Sequence, residues 1–286
     1  MNADVTVVIV TRNRAKGLLS TLEQLLALPE QPPIIVVDNQ STDDTVEQVR
    51  TTFPAVTVLA LPENRGCSGR NEGVKAAQTP LVAFCDDDSY WEPGALTKAV
   101  QYFRQYPHLG VLAAKVFIHG ERLEPVCQAM HDSPITDPQP LPGPAILGFV
   151  CCAVVVRRQA FLEIGGFNTR FAIAVEERMF AVDMRTKGWS LAYAEDIVAR
   201  HYASSVRNMP VRTALTTRDT IWYYWLRRPL YYALRHTWHI VRISRRDHNV
   251  RRGLKDAFRS ALYIWRNRRV VPSNVERQIL KIESFY

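Results

Sequence analysis

Three consecutive carboxylates, Asp86-Asp87-Asp88, follow the apolar run 81–85. Like charges crowded at one strand end repel each other unless a cation offsets them, and a phosphate-bridging divalent metal needs only one or two protein carboxylates plus water. The D-x-D spacing supplies them, although the tripeptide alone is equally compatible with a solvated acidic loop. The segment Asn64-Arg65-Gly66-Cys67-Ser68-Gly69-Arg70-Asn71 is a Gly-containing turn opening a helix, with two arginines at hand. Helix N-termini and guanidinium groups both suit phosphate; an ordinary capped loop has the same composition. Asp38 ends another apolar run and offers a carboxylate to a base or ribose, leaving the helix cap beyond it to Ser41 or Thr42. Glu176 and Glu177 open a predicted helix, where acidic side chains also simply favour the helix dipole. His201 is either a ligand or a satisfied structural histidine, and histidines 108, 119, 131, 236, 239 and 248 show no metal spacing.

Other chemistries lack their signatures. No G-x-G-x-x-G follows the first apolar run, and no G-x-x-x-x-G-K-[ST] occurs. The five cysteines, 67, 85, 127, 151 and 152, contain no C-x-x-C pair, so neither a disulfide framework nor a zinc site is expected and a reducing compartment fits.

The elements that must position these residues follow from hydrophobic patterning. Apolar, β-branched runs at 5–10, 34–37, 56–61 and 81–85 alternate with helical patterns at 16–28, 43–52 and 68–77. That alternation predicts a parallel sheet covered on both faces, with residues 1–118 forming a nucleotide-binding half. Ligands of such sheets sit beyond the carboxyl ends of the strands. Thr11-Arg12-Asn13, Asp38-Asn39, Asn64-Arg65-Gly66 and Asp86-Asp87-Asp88 are therefore expected to converge. Five prolines between Pro134 and Pro144 predict a mobile loop over the site. The apolar run 145–156 reads as a buried strand, too short for the roughly 20 residues of a membrane helix. Helices are expected at 157–164 and 176–187, ending at Gly165-Gly166 and Gly188.

The formal net charge of +8 is unevenly placed. Residues 1–204 carry 18 basic and 23 acidic side chains; residues 205–286 carry 18 basic and 5 acidic, with four of the six tryptophans. Arginine interleaved with Trp and Tyr on helices suits an anionic membrane surface. Trp222, Trp225 and Tyr231 are expected to pack inward. The acidic body and the lack of a recognition motif argue against a nucleic-acid partner. The N-terminus does not read as a signal peptide.

In order, VVIVTRNR (7–14), VVDNQSTDDT (36–45), ENRGCSGRNEGVKAA (63–77), FCDDDS (84–89), EIGGFNTRF (163–171), the pair Glu176-Glu177 and the later His201 resemble family 2 inverting glycosyltransferases of the GT-A fold. The resemblance covers about residues 4–202, and RDTIWYYWLRRP (218–229) resembles a stretch that follows the catalytic region in some bacterial members. It implies an α/β fold with a mostly parallel central sheet flanked by helices. Residues 1–204 would be the catalytic domain, with 119–204 its acceptor half, and 205–286 a helical extension.

The resemblance also implies roles. Thr11, Arg12 and Asn13 would border the nucleotide, Asp38 would meet the base, and Asn64, Gly66, Arg70 and Asn71 would help hold the nucleotide or diphosphate. Asp86 or Asp87 would lie near the ribose. Asp88, with Asp86 and His201, would bind Mn²⁺ or Mg²⁺. The family's acidic pair, usually Glu-Asp, is here Glu-Glu, which makes Glu177 the expected base and keeps Glu176 a candidate. The implied activity is transfer of a hexosyl or deoxyhexosyl group from a nucleoside-diphosphate sugar to a glycan or lipid-linked glycan, in cell-envelope polysaccharide or glycolipid synthesis. The implied location is cytoplasmic, peripheral on the inner face of the membrane. The rival reading, raised by the Glu-Glu departure, is a nucleotide-sugar-binding protein without turnover.

Overall fold

The alternating first half folds as its patterning requires: β1 (Val5–Thr11), α1 (Ala15–Leu26), β2 (Ile34–Asp38), α2 (Thr45–Thr52), β3 (Thr57–Ala60), α3 (Arg70–Ala76) and β4 (Leu81–Asp86). The computed structural model describes residues 3–171, 175–202 and 209–285. β1 pairs in parallel with β2 on one side and β4 on the other, and β2 with β3. Val7, Val8 and Ile9 are fully enclosed, which is why the strand is continuously apolar. On one face α3 lies so close that a Cβ on Gly73 would run into Val8, so only glycine permits that approach. α1 buries Leu18, Leu22 and Leu25.

Beyond β4 the chain departs from simple alternation. It forms β5 (Ser89–Trp91), α4 (Ala95–Gln105), β6 (Leu109–Ile118), β7 (Arg122–Leu123), α5 (Pro125–His131), β8 (Val154–Arg157), α6 (Arg158–Glu163), α7 (Glu176–Thr186) and β9 (Ser190–His201). The sheet order is β3-β2-β1-β4-β8-β6-β9-β5, with β7 on β6. β8 runs antiparallel between β4 and β6, while β6 and β9 pair in parallel. The sheet is therefore mixed, parallel in its first four strands.

Two expectations about the middle of the chain need correction. Only the end of the apolar run 145–156 is strand; before it the chain makes one bridge, Ala145 to Ala192, and a 3-10 turn at Cys151–Ala153. Its residues are buried because they floor a cavity, which patterning does not distinguish from a strand. The proline-rich loop is fastened rather than free. His108 Nε2 lies 2.8 Å from Pro140 O, Gln278 donates to Thr136 O at 3.0 Å, and Asp137 pairs with Arg185. α2 is capped by neither Ser41 nor Thr42: Asp43 Oδ1 accepts from Thr45 N at 3.2 Å, and Ser41 is occupied with Asp38.

The remainder is helical: α8 (Met209–Arg227), α9 (Leu230–Ser244), α10 (His248–Phe258), α11 (Ala261–Asn267) and α12 (Ser273–Phe285). Trp222, Tyr223, Leu226, Ile264, Val275 and Ile279 join Met179 and Val182 of α7 in a second apolar cluster. Trp222 is buried and Trp225 half-buried, its indole donating to Thr237 Oγ1 at 2.9 Å. Tyr231, expected inward, is 66% exposed because it lies on the outer side of α9. Asp183, which reads as a solvated helix position, instead receives Arg227 through both its oxygens and ties α7 to α8. Arg228 is fully buried, with Glu276 and Glu283 of α12 around its guanidinium at 2.9 and 2.6 Å. No described helix is long and apolar enough to cross a membrane.

Candidate active site

The carboxyl ends of β1, β2 and β4, the start of α7 and the end of β9 open onto one cavity of about 1030 Å³. Asp86, Asp87 and Asp88 all line it, each held by a cation or hydroxyl. Arg70 pairs with Asp86. Arg14 reaches Asp87 at 2.9 Å and Asp88 at 2.8 Å, and Thr11 Oγ1 donates to Asp87 at 2.8 Å. His201 Nε2 lies 3.2 Å from Asp88 Oδ1. Burial pushes the Asp87 carboxyl up to about 6 despite Arg14 and Thr11. For His201, burial pulls the imidazole down, but the Asp88 hydrogen bond and charge outweigh it and raise it.

The donor atoms suit a divalent cation. One ligand atom each from Asp86, Cys152 and His201 lie within 4.8 Å of one another, and Asp88 touches the same histidine. Carboxylate oxygen with imidazole nitrogen admits Mn²⁺ as well as Mg²⁺. Cys152 is buried at the 3-10 turn, and burial keeps its thiol protonated by raising it well above its ordinary value.

Glu176 and Glu177 form the first turn of α7 and line the same cavity. The two are not equivalent. Glu176 is buried and its Oε2 accepts the Val175 backbone N–H at 2.9 Å, so it serves the helix start. Glu177 faces Cys151; burial first, and then the Glu176 charge, push its carboxyl up to about 7. A carboxylate tuned to that range is a competent base near neutrality.

Arg70 is buried, and its Nε has no hydrogen-bond partner among the described residues although the side chain borders the cavity. A buried guanidinium N–H left open beside a cavity is costly unless a ligand completes it, and phosphate matches its fork geometry.

The other residues singled out from sequence divide. Thr11, Arg12, Asn64 and Gly66 line the cavity. Asp38 does not: it is buried at the end of β2, with Ser41 N donating to Oδ2 at 2.9 Å and Ser41 Oγ to Oδ1. Its neighbour Asn39 lines the cavity instead and fastens the 64–70 turn by donating to Gly66 O at 2.8 Å. Asn13 braces the β2 loop, its Oδ1 accepting from Thr42 N at 2.8 Å. Asn71 is buried, and its amide spans both backbone groups of Phe167, at 2.9 and 2.8 Å. Arg14, Cys151, Arg178, Arg212, Tyr223, Ile279 and Ile282 also border the cavity without having been singled out. Arg14 was within reach, since it stands in the same segment after β1. Tyr223 lies within the 218–229 stretch, but nothing in the local pattern gives it or Ile282 a place in the cavity; they stand 135 and 194 positions beyond Asp88.

A mixed α/β sheet with an acidic strand end facing an acidic helix start across one cavity is the architecture of the site. Comparison with known proteins narrows the class. The model of glycosyl transferase family 2 matches residues 6–165, and the chain belongs to that family. The pre-mycofactocin glycosyltransferase of Mycobacterium tuberculosis is 31% identical over 176 residues, covering 58% of this chain and 36% of the relative. The chain spans about a third of the length of the curated relatives it matches. Among solved structures, the mannosyltransferase PcManGT of Pyrobaculum calidifontis, in complex with GDP-Man and Mn²⁺, superposes with a TM-score of 0.58 at 17% identity, covering 98% of this chain and 73% of that one. S. aureus TarS 1–349 in complex with UDP-GlcNAc gives 0.54 at 20% identity, covering 77% and 66%. At these identities the two structures speak for the fold.

Proposed function

We propose that this chain transfers a sugar from a nucleoside diphosphate to an acceptor hydroxyl with inversion at the anomeric carbon. The observation that carries the reading is the shared cavity, where the strand-end carboxylates and Arg70 face the Glu176-Glu177 turn. Thr11, Arg12, Asn39 and Asn64 border the nucleotide end, and the open Arg70 Nε suits a diphosphate oxygen. Asp86, Asp88 and His201 would hold Mn²⁺ or Mg²⁺, which stabilises charge on the departing diphosphate.

In a single displacement the acceptor oxygen bonds to the anomeric carbon as the bond to the diphosphate oxygen breaks. The leaving group takes the electron pair, and Glu177 takes the hydroxyl proton. One base on the face opposite the leaving group is enough, and inversion follows from that geometry. Such a base contributes about 10² to 10⁴-fold. Glu176, already bonded to the helix start, orients the turn and raises Glu177 through its charge.

The Arg-rich extension is assigned to an anionic membrane surface. Its exposed Leu230, Leu234 and Trp238 recur every four residues along α9, and Leu262 and Trp265 are exposed on α11. That supports a peripheral enzyme on the inner membrane face, working on cell-envelope glycans or glycolipids. Incubation of the protein with nucleoside-diphosphate sugars, acceptor glycolipids and Mn²⁺ tests the activity: nucleoside diphosphate should be released together with an inverted product. Turnover undiminished in Glu177→Gln and Asp88→Ala would reject these roles, and donor binding without turnover on any acceptor would favour a binding protein.

A further inference from the structure

The cavity has a second end that the donor does not account for. Its wall there is apolar, from Leu147, Val182 of α7, and Ile279 and Ile282 of α12. Leu147, Val182, Ile279 and Ile282 belong to or pack on the second apolar cluster, so this end is built jointly by the body and the extension. Three polar groups interrupt the wall. Tyr223 of α8 is fully buried and its hydroxyl has no hydrogen-bond partner among the described residues, although the residue borders the cavity. Arg178 of α7 lies 5.4 Å from the Tyr223 ring, and Arg212 of α8 also borders the space. Among the described residues neither arginine pairs with a carboxylate, whereas Arg185 on the same α7 and Arg227 on the same α8 do.

From this combination we infer that the acceptor is amphipathic: an apolar chain lies along the Leu147, Ile279 and Ile282 wall, and an anionic phosphate meets Arg178, Arg212 and the Tyr223 hydroxyl. The inference deepens the transferase reading and rests on it. A soluble neutral glycan would leave the apolar wall against water and two cations unmatched. A phosphate-bearing lipid satisfies both, and it would arrive from the surface to which α9 and α11 offer their exposed Trp238 and Trp265. The extension is then part of the acceptor site as well as a means of attachment.

The test uses the full chain with Mn²⁺ and titration calorimetry. UDP and GDP first report the donor end. With the better of them bound, decyl phosphate, methyl phosphate and the neutral decyl glucoside are titrated below their micellar limits. Decyl phosphate should bind at least tenfold more tightly than either of the others. Ile282→Asp and Arg178→Gln should each weaken it about tenfold while changing nucleotide affinity less than twofold. Equal binding of decyl and methyl phosphate, equal binding of the glucoside, or indifference to both substitutions overturns the inference. Displacement of decyl phosphate by phosphatidylglycerol vesicles also overturns it, by making the cleft a headgroup site. Failure of both nucleotides to bind strikes the transferase reading itself, a result distinct from the others.

Discussion

Replacing Arg228 by methionine should loosen the extension in a measurable and specific way. The guanidinium is fully buried, lies between the rings of Tyr224 and Tyr232 at 5.1 and 4.8 Å, and is bonded to Glu276 and Glu283 on α12. Methionine fills much of the stem's volume but leaves two neighbouring carboxylates without their cation. Breaking a buried pair on one side costs about 3–5 kcal/mol. Taking an unfolding entropy of about 2.1 cal/mol/K per residue over this chain, that corresponds to a fall in Tm of roughly 5–8 °C. Ile279 and Ile282 lie between the two glutamates on α12, so acceptor KM should rise while nucleotide affinity holds. Thermal and urea unfolding followed by circular dichroism, with nucleotide titration alongside, read both effects. The variant Arg228→Met/Glu276→Leu/Glu283→Leu should recover most of the loss, because apolar replacement of a whole buried ionic group is often neutral or better. A single substitution within about 1 kcal/mol of the parent, or a triple variant no better than the single one, would refute the reasoning.

Other expectations follow from the same geometry. The Glu177 carboxylate is the working form and its carboxyl is raised to about 7, so kcat/KM should climb with pH and level off above that value; a profile flat between pH 5 and 8 would exclude it as the base. Glu283 is held below its ordinary value, burial being outweighed by the Arg228 hydrogen bond and charge. Its stabilising contribution is therefore present above the unfolded value and lost as pH falls through the folded one, a loss that Arg228→Met should abolish in acid titrations of Tm. Gly253→Ala would push a Cβ into Ala214 O where α10 crosses α8; a destabilisation of about 1–3 kcal/mol is expected in urea, and an unchanged midpoint would count against that close crossing. Mn²⁺ at about 100 times its Kd should stabilise by about 2.7 kcal/mol, an increment that Asp88→Ala/His201→Ala should lose.

The first half of the fold was legible because β1, β2 and β4 are almost continuously apolar and buried, so local pattern and tertiary position agree there, while β3 is an edge strand with no buried residue. The polar ends of β1, β2 and β4 could be named as site candidates for the same reason. What pattern could not supply is direction and partnership. The antiparallel course of β8 depends on where the chain returns after residues 132–153, and nothing in VVVR distinguishes it from a parallel strand. Asp38 and Asn71 were the right type in the right place, but their side chains are spent on Ser41 and Phe167. Asp183 read as solvated because its partner, Arg227, lies 44 positions further on. The acceptor end escaped in a different way: the 218–229 stretch holding Tyr223 was marked without a role in the site, and Ile279 and Ile282 belong to a helix whose composition speaks first of a surface.

The reversal of β8 also sets a timetable for synthesis. β6 is complete at Ile118, but its neighbours in the sheet, β8 and β9, end at Arg157 and His201. At roughly 5–20 residues per second, a ten-residue apolar strand leaves the ribosome seconds before either long edge can be covered. Until then β4 also has one open edge, so the half-made sheet presents two unsatisfied strands to any passing chain. Slow passage through residues 119–157 should therefore favour aggregation or chaperone capture over folding. β9 then covers β6 in parallel and pairs antiparallel with β5, where Ser89 stands opposite His201, which brings His201 to Asp88.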